Sequence, residues 1–215
     1  MNKITNIEVQ KRNEERVNIY IDNEFAFACY KELVYKEGLK KDMEVEIDSL
    51  KKIIAEEEFL KCKNSALRIV EKAYKTEKEM VDKLLQKGYE GIIIEKTIAF
   101  LKEYNFLNDE KYTLMYAKDK SKIQGKNKIK YSLMKKGIDK EIIENTLDSI
   151  DNNVEEETAY NLAIKKYRIL SKKENDKYKL NQKLIRFLLG KGYDYGLIKD
   201  VIKRITNEEV EANYE

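Results

Sequence analysis

The sequence predicts a mainly α-helical protein of tandem three-helix repeats behind a small N-terminal antiparallel β domain. Three observations predict it. A phrase of helical periodicity ending in Lys-Gly recurs around Gly88, Gly137 and Gly192. Strict apolar/polar alternation is confined to roughly the first 30 residues. The chain of 215 residues contains no Pro and only eight Gly, so little except those glycines interrupts helices.

The N-terminal elements come first. Residues 3–10 (Lys-Ile-Thr-Asn-Ile-Glu-Val-Gln) alternate as a half-buried strand does, and Lys11 to Glu15 makes a turn. Arg16 to Ile21 alternates again, and Asp22-Asn23 turns the chain into Glu24 to Cys29, which completes a three-stranded meander. Residues 30–37 read as a short helix ending at Gly38, and Leu39 to Val45 as a linker. From Ile47 to Tyr74 the pattern is helical, with a break expected near Lys61–Asn64. This region shows no catalytic pattern and reads as a docking or stabilising module.

The repeats follow. Leu84, Leu133 and Leu188 stand four residues before the aligned glycines, and Lys87, Lys136 and Lys191 immediately before them. After each comes a large apolar residue (Tyr89, Ile138, Tyr193) and then an acid (Glu90, Asp139, Asp194). Farther on, Ile98, Leu147 and Ile202 coincide, as do Leu101, Ile150 and Ile205. Apolar residues at three- and four-residue spacing give each helix one buried stripe. Glycine ends the helix because it alone takes the left-handed C′ conformation without steric cost. The acid then caps free N–H groups of the next helix. Thr76-Glu77-Lys78-Glu79 forms a capping box for the helix ending at Gly88. Asn108-Asp109 opens a helix over Glu110 to Lys122, Gln124-Gly125 ends it, and Lys126 to Lys136 is the next. Lead helices near 64–74, 109–122 and 155–171 make each repeat trihelical. The glycines are 49 and then 55 residues apart, the extra length falling in polar Ser171 to Lys179. The expected division is an N-terminal β-rich extension with a helix (1–60), repeat one (61–107), repeat two (108–152), and repeat three with an acidic tail (153–215).

Bulk composition narrows the function. Histidine is absent, which removes the commonest general base and metal ligand. Cys29 and Cys62 are too far apart for a metal-type spacing and read as buried reduced thiols. There is no phosphate-binding glycine loop, and with 40 acidic residues any carboxylate pair would arise by chance. The chain is read as not an enzyme, without cofactor or metal. No apolar run approaches the roughly 20 residues that span a bilayer, and the first residues lack a signal-peptide core, so a cytoplasmic protein is expected.

The net charge of +3 hides segregation. Residues 111–140 carry 10 Lys and Arg against 2 acids, residues 141–160 carry 7 acids and no base, and residues 161–205 carry 13 against 4. Such clustering is the footprint of a polyanion-binding face. The densest run is Lys118, Lys120, Lys122, Lys126, Lys128, Lys130 and Lys135. Its third-repeat counterpart is Lys165, Lys166, Arg168, Lys172, Lys173, Lys183 and Arg186. A solvated helix face is the alternative reading of both. Lys87, Lys136 and Lys191 sit where a cation meets the negative end of a helix dipole, and a structural role is favoured for them. Tyr112, Tyr116 and Tyr131 have the face to stack on bases, yet at helical spacing they read as half-buried core.

Ala66-Leu67-Arg68, Thr76 to Met80, Leu84 and Lys87-Gly88-Tyr89 resemble the first repeat of the RecX regulatory proteins. Phe106 to Tyr112 is similar to that family's opening of repeat two, and Gly125 to Ile129 with Leu133 to Ile138 to its continuation. The N-terminal strands resemble the extension of longer, Firmicute-type members. The resemblance implies an elongated, curved solenoid that binds RecA recombinase filaments on single-stranded DNA along the groove. It implies inhibition of strand exchange, ATP hydrolysis and co-protease activity by a monomer with weak non-specific DNA binding and no membrane contact. Where members commonly carry Arg, this chain often carries Lys, which keeps point-charge contact with phosphate. Two other classes fit the helical pattern: a helix-turn-helix-like DNA-binding regulator, and a helical-repeat scaffold that binds protein alone.

Overall fold

The computed structural model describes residues 2–212, with residue 152 and residues 208–212 described by backbone alone. Two compact units emerge: residues up to 73 together with 80–106, and residues 74–79 together with those from 107 onward.

In the first unit, β1 (Asn2–Gln10), β2 (Asn13–Ile21) and β3 (Glu24–Tyr30) form the expected antiparallel meander. Asp22 and Asn23 turn β2 into β3 with φ of 50° and 68°, the positive values a two-residue hairpin turn needs. A fourth strand, β4 (Glu44–Val45), lies within the segment read as a linker and gives the sheet order β3-β2-β1-β4. Two residues carry no readable periodicity. The strand exists because the neighbouring loop pairs with β1, Ile4 N–H donating to Met43 O (2.9 Å) and Asp42 N–H to Ile4 O (2.8 Å).

Helix α1 (Lys31–Lys36) is followed by Gly38 at φ 62°, and α2 runs unbroken over Ile47–Lys72. The break expected near Lys61–Asn64 is absent. No Gly interrupts this stretch, and the buried residues Leu50, Ile54, Glu58, Cys62 and Ala66 recur every fourth position straight through it. Leu50 and Ile54 pack into the sheet core of Ile4, Val17, Ile19, Ile21, Cys29 and Leu33. Buried Glu58 is held by Arg16 of β2 at 2.7 Å. Both cysteines are buried free thiols, and burial pushes the Cys29 thiol up to about 11. Helices α3 (Glu77–Gln86) and α4 (Gly91–Glu103) complete the first repeat.

The second unit holds α5 (Asp109–Lys120), α6 (Lys126–Lys135) and α7 (Lys140–Asp148), then α8 (Asn152–Leu170), α9 (Lys177–Lys191) and α10 (Tyr195–Ala212). The recurring turn is the same in all three repeats. Gly88, Gly137 and Gly192 have φ of 84°, 79° and 89°. The N–H of Tyr89, Ile138 and Tyr193 reaches back to the carbonyl of Leu84, Leu133 and Leu188 at 3.3, 3.3 and 3.2 Å, which satisfies the last free carbonyls of each helix. Those three leucines are fully buried. Asp139 caps α7 through Glu141 N–H (2.8 Å), and Asp194 accepts from Gly196 N–H (2.7 Å). Glu90 stands at the α4 N-cap without a side-chain cap bond. Its extra methylene makes it a poorer N-cap than Asp. In each repeat the lead helix packs against the third helix through a buried pair of compact residues four apart: Cys62 and Ala66, Thr113 and Ala117, Ala159 and Ala163.

Candidate nucleic-acid interface

The lysine-rich segments of the second unit are placed by two joints between helix ends. At one, the α6 N-terminus meets the α9 C-terminus: Gly125 N–H donates to Lys191 O (3.0 Å) and Asn127 N–H to Gly192 O (3.2 Å). At the other, residues 74–79 meet the α6 C-terminus. Thr76 Oγ donates to Lys136 O (2.7 Å), and Lys136 Nζ pairs with Glu79 Oε1 at 2.5 Å. Free N–H groups thus satisfy free carbonyls, and the positive end of one dipole faces the negative end of the next. The Thr76 capping box forms as expected, Glu79 N–H donating to Thr76 Oγ (3.2 Å) and Thr76 N–H to Glu79 Oε2 (3.3 Å).

Gly125 corrects one expectation. It does not end α5, which stops at Lys120; it N-caps α6 with φ of −78°. A Cβ there would lie 2.6 Å from Tyr193 N and closer still to Gly192 O. Glycine is required by the close approach of two backbones, which no local pattern announces.

The thirteen cations of the candidate face, with Lys173, divide by how the fold uses them. Lys126 Nζ donates to Ile150 O (3.0 Å), Lys128 Nζ to Gly190 O (3.0 Å), and Lys130 pairs with Glu144 (2.8 Å). These three tie α6 to the ends of α7 and α9 and to the α7 face. Lys120 pairs with Asp119 at 2.9 Å, a hydrogen bond that raises its pKa, and Lys183 pairs with Glu174 at 2.8 Å. Lys135 lies 4.6 Å from the Tyr131 ring centroid, and Lys166 lies 5.6 Å from that of Phe187. Lys118, Lys122, Lys165, Arg168, Lys172, Lys173 and Arg186 are exposed, and none has an ion-pair partner among the described residues.

The tyrosines divide too. Tyr112 and Tyr116 are half-buried, stacked at 6.0 Å and 15°, with Lys136 Nζ 5.4 and 6.0 Å from their centroids. Tyr131 is 58% exposed and so departs from the half-buried core role read for it. At Lys136 the structural role favoured from sequence takes the form of the Glu79 pair. Burial opposes both charges there, yet the mutual hydrogen bond, with Thr76 N–H donating to Glu79 and Lys136 donating to Tyr112, holds Glu79 below and Lys136 above their usual ranges. Glu79 as the partner across the joint was not legible, because the two residues are 57 apart.

Comparison with known proteins bears on these repeats directly. Four family descriptions match: the regulatory protein RecX N-terminal domain over residues 2–46, and the RecX first, second and third three-helix domains over 62–101, 108–147 and 154–202. The regulatory protein RecX of Clostridium perfringens (strain 13) is 58% identical over 209 residues, 97% of this chain and 99% of that protein. That of Clostridioides difficile (strain 630) is 41% identical over 96% of this chain and 97% of its own. A crystal structure of regulatory protein RecX superposes with a TM-score of 0.65 at 25% identity, covering 93% of this chain and 100% of that one. RecX from Lactobacillus salivarius gives 0.65 at 28% identity over 70% and 97%.

Proposed function

The chain belongs to the RecX family of regulatory proteins, and from that premise we propose that it restrains homologous recombination and the SOS response by binding RecA filaments on single-stranded DNA. Bound along the filament groove, it inhibits RecA ATP hydrolysis, strand exchange and co-protease activity. It does no chemistry itself. Division of the chain after residues 60, 107 and 152 assigns the phosphate contacts to repeats two and three.

The supporting observation is the set of exposed cations that the fold leaves without carboxylate partners. In a chain with 40 acidic residues, Lys118 at the end of α5, Lys122 in the turn after it, Lys165 and Arg168 on α8, Lys172 in the turn after α8 and Arg186 on α9 remain available. Ammonium groups on phosphate release counterions and read no sequence, which suits binding wherever a filament forms. Lys120, Lys135, Lys166 and Lys183 extend this set: Lys183 is held by one acid, Lys135 and Lys166 each lie by a ring, and Lys120 has both Asp119 and the Tyr116 ring. Lys126, Lys128 and Lys130 are engaged within the fold and brace α6 through Ile150 O, Gly190 O and Glu144.

RecA ATPase on single-stranded DNA, titrated with the protein, tests the proposal. Inhibition is expected at or below equimolar protein, and none at equimolar protein would overturn it. Lys118→Glu/Lys122→Glu is expected to weaken inhibition while keeping the helical circular-dichroism signal. The salt dependence of single-stranded DNA binding should become shallower by about 0.7 for each lysine–phosphate pair removed.

A further inference from the structure

The three repeats share a pair of positions where the lead helix faces the third helix, and the second repeat alone leaves that pair open. The buried pairs Cys62/Ala66, Thr113/Ala117 and Ala159/Ala163 set the lead helices in register, so Lys63, Leu114 and Tyr160 correspond. The aligned glycines set the third helices in register, so Phe100, Ser149 and Arg204 correspond. In the first repeat Lys63 Nζ lies 5.0 Å from the Phe100 ring centroid. In the third, Arg204 lies 3.9 Å from the Tyr160 centroid and pairs with Glu157 at 2.5 Å. A cation–ring contact closes both, with cation and ring exchanging helices.

In the second repeat the positions hold Leu114 and Ser149, neither charged nor aromatic. A groove of about 720 Å³ lies between α5 and α7, lined by both residues together with Glu110, Glu141 and Ile142. Leu114 is 55% exposed. Glu110 and Glu141 are exposed and have no ion-pair partner among the described residues. Lys111 and Asp139 also line the groove, and Lys111 Nζ lies 5.9 Å from the Tyr74 ring centroid, so the lining carries three acids against one cation. Ser149 Oγ is turned back to Thr146 O at 2.7 Å.

We infer that the α5/α7 groove is a docking site for a protein segment that presents an Arg or Lys beside an apolar side chain. The apolar group covers Leu114 and Ile142, and the cation sits between Glu110 and Glu141, where the other repeats supply a cation of their own. Two unpaired carboxylates repel phosphate, so neither nucleic acid nor an anionic lipid surface fits here. The choice of occupant rests on the proposed filament binding: it is a segment of the filament's protein subunits, so that one repeat contacts DNA through its lysines and protein through this groove.

Leu114→Tyr/Ser149→Arg rebuilds the third repeat's closure inside the second and tests the inference. Binding is measured to RecA–single-stranded DNA filaments held with a non-hydrolysable ATP analogue, and to the same DNA without RecA. Filament affinity is expected to fall about tenfold or more, the scale set by removing a central cation from an interface, with affinity for bare DNA unchanged. Glu110→Gln/Glu141→Gln, which adds no bulk, is expected to shift affinity the same way. Unchanged filament affinity in both variants, or an equal loss on bare DNA, overturns the groove assignment while inhibition by the parent protein leaves the regulatory function standing. A parent protein that neither binds nor inhibits RecA overturns both. Self-association of the parent protein that the variants abolish, with filament binding intact, assigns the groove to a second copy and overturns the inference.

Discussion

Gly125→Ala isolates the joint between α6 and α9. A methyl group at this position meets backbone on every near side: Tyr193 N and Gly192 C both at 2.6 Å, and Gly192 O closer. Ordinary carbon contacts begin near 3.5 Å, so the two helix ends must separate by about an ångström. Backbone does not rotate aside as a side-chain tip would. Separation breaks the Gly125 N–H bond to Lys191 O (3.0 Å) and the Asn127 N–H bond to Gly192 O (3.2 Å). At about 1 kcal/mol per bond, with a further cost where a buried donor is left unpaired, the loss is about 3 kcal/mol. For a chain of this length that lowers Tm by about 6–12 °C. Two internal controls calibrate it. Gly88→Ala introduces only the left-handed backbone cost, about 1–2 kcal/mol, since nothing lies within 4 Å of the added atom at φ 84°. Gly190→Ala, inside α9 with the same open surroundings, is expected to stabilise by about 0.5–1 kcal/mol. Urea unfolding followed by circular dichroism gives all three. Gly125→Ala within about 0.5 kcal/mol of the parent would refute the close-approach argument.

Other outcomes follow from the same geometry. Arg16→Met leaves Glu58 buried without its partner and is expected to cost about 3–5 kcal/mol in urea unfolding, most of it recovered in Arg16→Met/Glu58→Met. A single variant as stable as the parent would contradict this. Tyr193→Phe removes a buried hydroxyl with no hydrogen-bond partner among the described residues, and should change stability by less than about 0.5 kcal/mol or raise it; a large loss would point to a missed partner. Across the Glu79–Lys136 pair the pH dependence has two signs. The lowered carboxylate pKa gives stability that is present above the ordinary carboxylate range and lost as pH falls through the lowered value. The raised lysine pKa gives stability that is full below the ordinary lysine range and lost as pH rises through the raised value. The stability difference between the parent and Glu79→Gln is therefore expected to be greatest between about pH 5 and 10 and to shrink on either side. A difference independent of pH would remove the pair from the joint.

What the amino-acid sequence determined by itself is whatever lies within a few residues of its cause. The positive φ of Gly88, Gly137 and Gly192, the return of the following N–H to a leucine carbonyl, the Asp139, Asp194 and Asn108 caps and the Thr76 box were all legible, because each is a bond between near neighbours with fixed stereochemistry. So were the β1–β3 meander and the segregation of charge, which rest on periodicity and composition. The tertiary structure alone decided what depends on partners far along the chain. It made a strand of Glu44–Val45, carried α2 through Lys61–Asn64, gave Gly125 a packing role, and divided one lysine run into joint-forming and exposed members. It also left Leu114 and Ser149 facing a groove that the other two repeats close. Side-chain type fixes what a residue is able to bond, whereas the bond it makes depends on which backbone atoms packing brings within about 3 Å.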